Sequence, residues 1–444
     1  MLNTYYCFII DGSVEIILPI LLIISFSYLI YRLPFFHLEE LAAWASPALF
    51  LIKLCFGFAL WAVYTFYYTD RSASDIYKFY DDAHYIHQAY SENKKAFIGL
   101  MTGSEDSSLT AYTSQMKNWE RNFNKAVPFN ENRFMIRLNA AMMLISGENI
   151  HIHTILFCFL SFIGCILLLK LFQHFVETGK KKWVVITILF PSFLFWTSGG
   201  LKESLIVLAL GLFLYGFIFI RERGIWAILF LTSGLLLLLL TKYFLLICML
   251  PAIAGYYFFI HKNTSGQVIL KYTGVVTLTV IILAAIAPID KRTNFARIIY
   301  KKQKYAIGEA KYMRAGSYSE VPAVDSTIVS VVSNLPIGLW DSMMKPYLWQ
   351  SRNPMMLHSA VENAAILLLL ICSILYRDKK MIYDYNLLLF MCLSVVLYFS
   401  IIGIMTPVLG NLVRYKVVLM PLLLFVLFYI LDAKRLPFQD TNHR

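Results

Sequence analysis

The chain alternates long apolar runs with short polar turns and two long polar stretches. Apolar runs of this length, nearly free of charge, are the pattern of helices that cross a membrane. Eleven are expected, over 14–31, 47–68, 152–171, 183–196, 203–220, 225–241, 243–260, 268–287, 357–376, 386–404 and 415–431. The predicted fold class is all-α, a polytopic transmembrane helix bundle forming a single integral membrane domain over 1–444.

One run is unusual. In FPSFLFWTSGGLKESLIVLALGLFLY (190–215) an apolar helix breaks at Thr197-Ser198-Gly199-Gly200, and a second begins at Lys202-Glu203. Counted from Trp183, the first helix has about 14 residues and climbs roughly 20 Å, short of the roughly 30 Å hydrocarbon core. The polar turn is therefore expected below the membrane surface, where non-helical backbone must be enclosed by protein or line a wet cavity. Lys202 and Glu203 at that depth read as functional residues. The alternative is an ordinary hairpin tip whose lysine reaches back to the headgroups.

Composition agrees with this class. The 444 residues are 59% hydrophobic and 15% charged, and Phe, Tyr and Trp make up 16%, enough for aromatic belts at two interfaces. Six of the seven cysteines fall in apolar runs and no CxxC pair occurs, which argues against a disulfide framework or a zinc site. The N-terminal stretch MLNTYYCFIIDGSVEI carries two acids and no Lys or Arg, unlike a secretory signal peptide, so the first span is expected to be retained.

Lys and Arg in the short loops set the orientation. One set of loops holds Lys170, Lys180-Lys181-Lys182, Arg221, Arg223, Lys262, Arg377, Lys379-Lys380 and Lys434-Arg435; the other holds Lys202, Lys242, Arg414 and Lys416. The richer set is expected to be cytoplasmic. This puts the N-terminus outside, the C-terminus in the cytoplasm, and both long loops, 69–151 and 288–356, outside. The second loop opens strongly basic and closes with SVVSNLPIGLWDSMMKPYLWQSRNP, which reads as interfacial or re-entrant. There is no internal repeat, no GxGxxG or GxxxxGK loop, no GxSxG and no HExxH.

The first outer loop carries SDIYKFYDDAHYIHQAYSE (74–92). On a helix Asp81, His84, Tyr85 and Gln88 share a face. Asp81 and Asp82 have three readings: acids at a helix start, a general base held near the bilayer, or part of an Asp/His metal site. The last is the weakest, because only one Asp–His pair has clean helical spacing. In the second loop Lys291, Arg292, Arg297, Lys301, Lys302, Lys304, Lys311 and Arg314 face Glu309 alone, which describes either a solvated basic helix or a surface for an anionic lipid head or phosphate. Nucleic acid is not expected on this face. Lys242, the pair His358 and Glu362, and Arg414 with Lys416 all stand at outer ends of spans. Each alone is interfacial packing or chemistry; a shared level with Lys202 and Glu203 suggests one outward-opening polar cavity.

The acidic DD of the first loop, PSFLFWTSGGLKES, KPYLWQSRNP with HSAVEN, and GNLVRYKVVLMP together resemble bacterial membrane proteins of polysaccharide loci and, more widely, the GT-C superfamily of glycosyltransferases. These pieces are short but spread over most of the chain. The DD is generic, whereas FWTSGGLKES and GNLVRYK are distinctive. One extra span precedes the acidic loop, and no soluble C-terminal domain follows, two departures from many relatives. The resemblance implies an enzyme of the cell envelope in the bacterial inner membrane. It would take a sugar from a polyprenyl-phosphate carrier and give it to a glycan or lipid acceptor, with membrane lipids as its surroundings. Asp81 or Asp82 would be the base, and Lys202, Lys242 and Arg414 would be candidates for the carrier phosphate. No cofactor is implied, and a divalent cation is not supported. The rival readings are an O-antigen-type polysaccharide polymerase or ligase and, behind it, a lipid or polysaccharide transporter.

Overall fold

The computed structural model describes residues 2–68, 70–71, 74–104, 106–119, 130–258, 265–289, 294–378, 383–432 and 435. Among them every regular element is helical; two isolated bridges, Tyr318 with Val408 and Arg377 with Leu431, form no strand. The chain divides into two units, 1–243 and 244–444.

The first unit begins with α1 (Leu2–Arg32) and α2 (Ala45–Ala62), the latter continued by a π-turn to Tyr67. Four helices of the first long loop follow: α3 (Asp75–Glu92), α4 (Lys94–Thr102), α5 (Thr110–Thr113) and α6 (Glu131–Ser146). Then come α7 (Ile150–Phe175), α8 (Pro191–Trp196) and α9 (Lys202–Ile218). The helix α10 (Ile220–Phe258) has non-helical backbone at Gly224 and Lys242, and the second break is where the unit ends.

The loop helices are amphipathic in the ordinary way. Ile76, Phe79, Ala83 and Ile86 recur at three- and four-residue spacing on α3 and are buried. They meet Met135, Ile136, Ala140 and Met143 of α6 in one apolar cluster that also takes in Phe157 of α7 and Leu205 of α9. The Asn93 and Asn130 side chains cap α4 and α6, and α6 ends at Gly147 in the left-handed region, φ 56°.

The second unit contains the rest of α10, then α11 (Ser265–Ile286), α12 (Phe295–Tyr312), α13 (Ile328–Met344), α14 (Pro354–Leu375), α15 (Tyr385–Met405), α16 (Leu409–Lys416) and α17 (Met420–Ile430). The 330–354 stretch is helical through Pro336 as far as Met344, is extended at Lys345, and makes a 3₁₀ turn at Leu348–Gln350 before α14. Backbones of α13 and α15 touch where they cross: a Cβ added to Gly403 would lie 1.9 Å from the Gly338 carbonyl oxygen. Only glycine permits that approach.

Seven described helices are long and apolar enough to cross a membrane: Ala45–Tyr67, Ile150–Phe175, Ile220–Tyr257, Gly266–Ile286, Pro354–Leu375, Tyr385–Met405 and Leu409–Ile430. Burial separates two kinds. In Ile150–Phe175, 72% of the apolar window is packed inside protein, whereas in Gly266–Ile286 it is 6%. A helix that shows Leu270, Leu278 and Ile281 outward needs an apolar solvent, so the chain is a membrane protein.

Eleven apolar runs were expected, and seven helices among the described residues meet that length and hydropathy. The runs 225–241 and 243–260 are two helical stretches of α10 divided at the non-helical Lys242, at the boundary expected from sequence; 14–31 lies within α1, and 203–220 corresponds to the 17-residue α9. The run 183–196 is not one helix. Its first half is a 3₁₀ segment, Lys181–Ile188, Phe190 is extended, and only Pro191–Trp196 is α-helical. Pro191 has no N–H to donate and forces the preceding residue out of helical geometry.

Candidate functional site

The turn after α8 is fully enclosed: Thr197 and Ser198 are 0% exposed, Leu201 is 0% and Glu203 is 2%. A broken helix at this depth leaves carbonyl groups that need donors. The sequence supplies them. Thr197 Oγ1 donates to the Phe193 carbonyl at 2.6 Å, and Ser198 Oγ donates to the Leu194 carbonyl. On the far side, Leu201 N–H and Ser204 Oγ both donate to the Gly199 carbonyl, at 2.8 and 2.6 Å.

The remaining donor comes from α2. Lys53, 1% exposed in an apolar helix, places Nζ 2.9 Å from the Thr197 carbonyl, 2.8 Å from Thr197 Oγ1 and 3.1 Å from Ser198 Oγ. Both hydroxyls already donate elsewhere, so all three contacts need a proton from Nζ, and the three donors of an ammonium are used up. The Phe193 ring lies 5.4 Å from the charge. One helical turn on, Gly57 lets the Ser198 carbonyl approach; an added Cβ would stand 2.3 Å from that oxygen. Lys53 escaped the sequence reading. Its one signal was a lone cation inside the run 47–68.

The turn delivers Lys202 to the loop helices. Its Nζ lies 3.2 Å from Glu131 Oε2 and 2.8 Å from Asn132 Oδ1 on α6, and 5.2 Å from the Phe79 ring of α3. Its side chain keeps 16% exposure. Lys242 marks the non-helical break of α10 (φ −158°, ψ 63°). Glu203 lies in the first turn of α9.

The two adjacent acids of α3 do different things. Asp82 is buried and accepts from the backbone N–H groups of Lys117 at 3.0 Å and Asn118 at 2.6 Å, fastening the 114–119 segment to α3. Burial pushes its carboxyl above the ordinary carboxylate range, against the pull of those N–H donors. Asp81 faces outward with 41% side-chain exposure and is gripped by Arg71, Nη2 to Oδ1 at 2.7 Å and Nε to Oδ2 at 3.0 Å. The Arg71 guanidinium also stacks 3.9 Å from the Tyr77 ring centre, and its bond to Asp81 raises its own proton affinity.

The helical face proposed for Asp81 and His84 is split by partners. His84 and His87 both turn Nδ1 to Glu148 Oε1, at 3.0 and 2.6 Å, and the Tyr80 hydroxyl donates to the Glu148 carbonyl. Burial beside Glu148 pushes the Tyr80 phenol up to about 12. No group of three His, Cys, Asp or Glu placed to hold a metal occurs among the described residues. Arg71 and Glu148 were not singled out from sequence, since nothing local ties them to α3.

In the second unit Lys416, 4% exposed, donates to Asn363 Oδ1 at 2.5 Å and to the Ser342 carbonyl at 3.2 Å. Asn363 Nδ2 in turn donates to the Met344 and Pro346 carbonyls, at 3.1 and 3.3 Å. Lys416 therefore ties α13, α14 and α16 together. His358 Nε2 lies 3.2 Å from Glu362 Oε1, one turn along α14. Arg414 is buried, 8% exposed, on α16. Lys291 and Arg292 lie outside the described residues.

No family model matches this chain, and neither a curated protein nor a solved structure matches it.

Proposed function

We propose that the chain is a membrane glycosyltransferase that moves a sugar from a polyprenyl-phosphate carrier to a glycan or lipid acceptor on the outer face of a bacterial inner membrane. In this reading the N-terminus and both long loops are outside and the C-terminus is cytoplasmic. The observation that carries it is the division of labour on α3 and α6. An outward carboxylate, Asp81, is oriented at two points by Arg71, and the same helix pair holds the partly exposed cation Lys202.

Asp81 is the base of this reading. It accepts the proton of the acceptor hydroxyl as that oxygen attacks the anomeric carbon. The bond from that carbon to the carrier phosphate breaks, and the phosphate leaves with the electron pair. Lys202 is the candidate for stabilising the charge that develops there. Asp82 holds the scaffold.

The test is transfer of labelled sugar from a polyprenyl-phosphate donor by the purified chain in vesicles. Asp81→Asn should lose about 10²–10⁴ in rate with folding intact. Full transfer by Asp81→Asn would overturn the reading. The rival polymerase or ligase reading draws support from Arg414 and Lys416, two buried cations on one short helix. Loss of product with Arg414→Ala but not Asp81→Asn selects it, and carrier flipping without product selects the transporter.

A further inference from the structure

The basic stretch of the second long loop has no part in the chemistry above. Its described portion is α12, a helix with two opposed faces. Ala296, Ile299, Gln303 and Ala310 are buried and form one stripe. Lys301, Lys304, Tyr305, Gly308, Lys311 and Tyr312 are exposed and recur at three- and four-residue intervals on the other side.

The position of α12 follows from its attachments. It is joined to the C-terminal end of α11, a candidate span, by residues 287–294. Gln303 ties it to a second span, since Nε2 donates 2.8 Å to the Ile404 carbonyl in the last turn of α15 and 2.7 Å to the Pro322 carbonyl. Phe295 stacks on Phe244, with ring centres 6.1 Å apart. A helix fixed at the ends of two membrane-crossing helices lies where they leave the hydrocarbon, at headgroup level.

Charge and aromatic content select what meets the free face. Arg297, Lys301, Lys302, Lys304 and Lys311 stand against Glu309 alone, and Arg314 follows. Tyr305 and Tyr312, two turns apart, are 72% and 89% exposed. A helix facing water has reason to show lysines but none to show two outstretched phenols. Phenols beside lysines suit the boundary between phosphate and acyl chain. A shallow, open hollow lies among Lys304, Tyr305, Gly308, Glu309, Tyr312 and Met313.

We propose that the exposed face of α12 binds anionic phospholipid headgroups of the surrounding membrane. Lys301, Lys304 and Lys311 meet the phosphates, and Tyr305 and Tyr312 lodge beside the glycerol. This surface does not depend on the glycosyltransferase reading.

The experiment places a benzophenone amino acid at Tyr305 or Tyr312 in the full chain, reconstituted in vesicles of phosphatidylcholine and phosphatidylglycerol in equal amounts. Leu270, which is 74% exposed on α11, serves as the reference position. Light should yield lipid adducts at both tyrosine positions, enriched about fivefold in phosphatidylglycerol relative to Leu270. Lys301→Gln/Lys304→Gln/Lys311→Gln should return the ratio to the Leu270 value, and so should raising the salt to about 1 M with the native lysines in place. Inorganic phosphate at a concentration too low to screen should leave the ratio unchanged. No lipid adduct at either tyrosine, an adduct ratio equal to that at Leu270, or displacement by such phosphate would each overturn the proposal.

Discussion

Lys53 Nζ lies 2.8 Å from Thr197 Oγ1 and 2.9 Å from the Thr197 carbonyl, so a cation in one apolar helix closes the break in another. The pair is 144 residues apart in sequence. It decides where Lys202, five residues beyond Thr197, is delivered.

Replacing Lys53 by Met keeps much of the volume and removes the three donors. The Thr197 carbonyl would then sit unpaired in a buried site, at a cost of ~1–3 kcal/mol. Unfolding of the detergent-solubilised protein should show that loss. Thr197→Val, which deletes only the hydroxyl, should cost less. A Lys53→Met protein as stable as the native chain would mean that the cation does not hold the turn.

Gly57→Ala tests the same contact from the other side. Its new methyl group would meet the Ser198 carbonyl oxygen at 2.3 Å, and backbone has little freedom to yield. We expect ~1–3 kcal/mol of destabilisation. Gly147→Ala meets no neighbour, so its expected cost comes from its left-handed backbone alone. Comparing the two by thermal unfolding separates the steric term from the conformational one.

The adjacent acids should part company on mutation. Asp82→Ala leaves the Lys117 and Asn118 N–H groups without their acceptor and should lower stability by ~1–3 kcal/mol, with the 114–119 amides exchanging faster with solvent. Asp81→Asn should leave stability within ~0.5 kcal/mol, because its partner pair is exposed, while transfer activity falls. Equal loss of stability at both positions would contradict this division.

Asp82 also predicts a pH dependence. Its folded-state pKa is raised, chiefly by burial, so the folded chain binds the proton more tightly than the unfolded chain. The contribution is then full below the unfolded value of about 3.9 and is lost as pH rises through the raised folded value. As the pH rises from about 4 through that raised folded value, the native protein should lose stability relative to Asp82→Asn. A gain over that interval would reverse the sign and refute the assignment.

Lys416 and Asn363 should behave as one unit. A double-mutant cycle with Lys416→Met and Asn363→Leu should give a coupling energy of ~0.5–3 kcal/mol in unfolding, since either single change strands the other polar group in a buried site. Additive losses would show that the contact contributes nothing of its own.

Much was legible in the residues one by one. The apolar runs located most of the helices, because a span needs length and hydrophobicity and both are local properties. The break at Thr197–Gly200 was legible for the same reason. The break at Lys242 was legible too, as the one charge between two apolar runs. The reading failed at 183–196, where Pro191 splits the run into a 3₁₀ segment and a short α-helix.

What the sequence by itself determined is therefore the membrane class, the helical character of the described residues and the polar break. Which side chains face each other was decided only by tertiary structure. Asp81 and Asp82 are neighbours with the same side chain, yet helical geometry turns one toward Arg71 and solvent and the other under the 114–119 segment. Lys53 and Thr197 carry no mark of each other, because a donor and its acceptor need only be complementary and close. Closeness across 144 residues is set by packed backbones, among them Gly57 against Ser198, and no pattern along the chain encodes it.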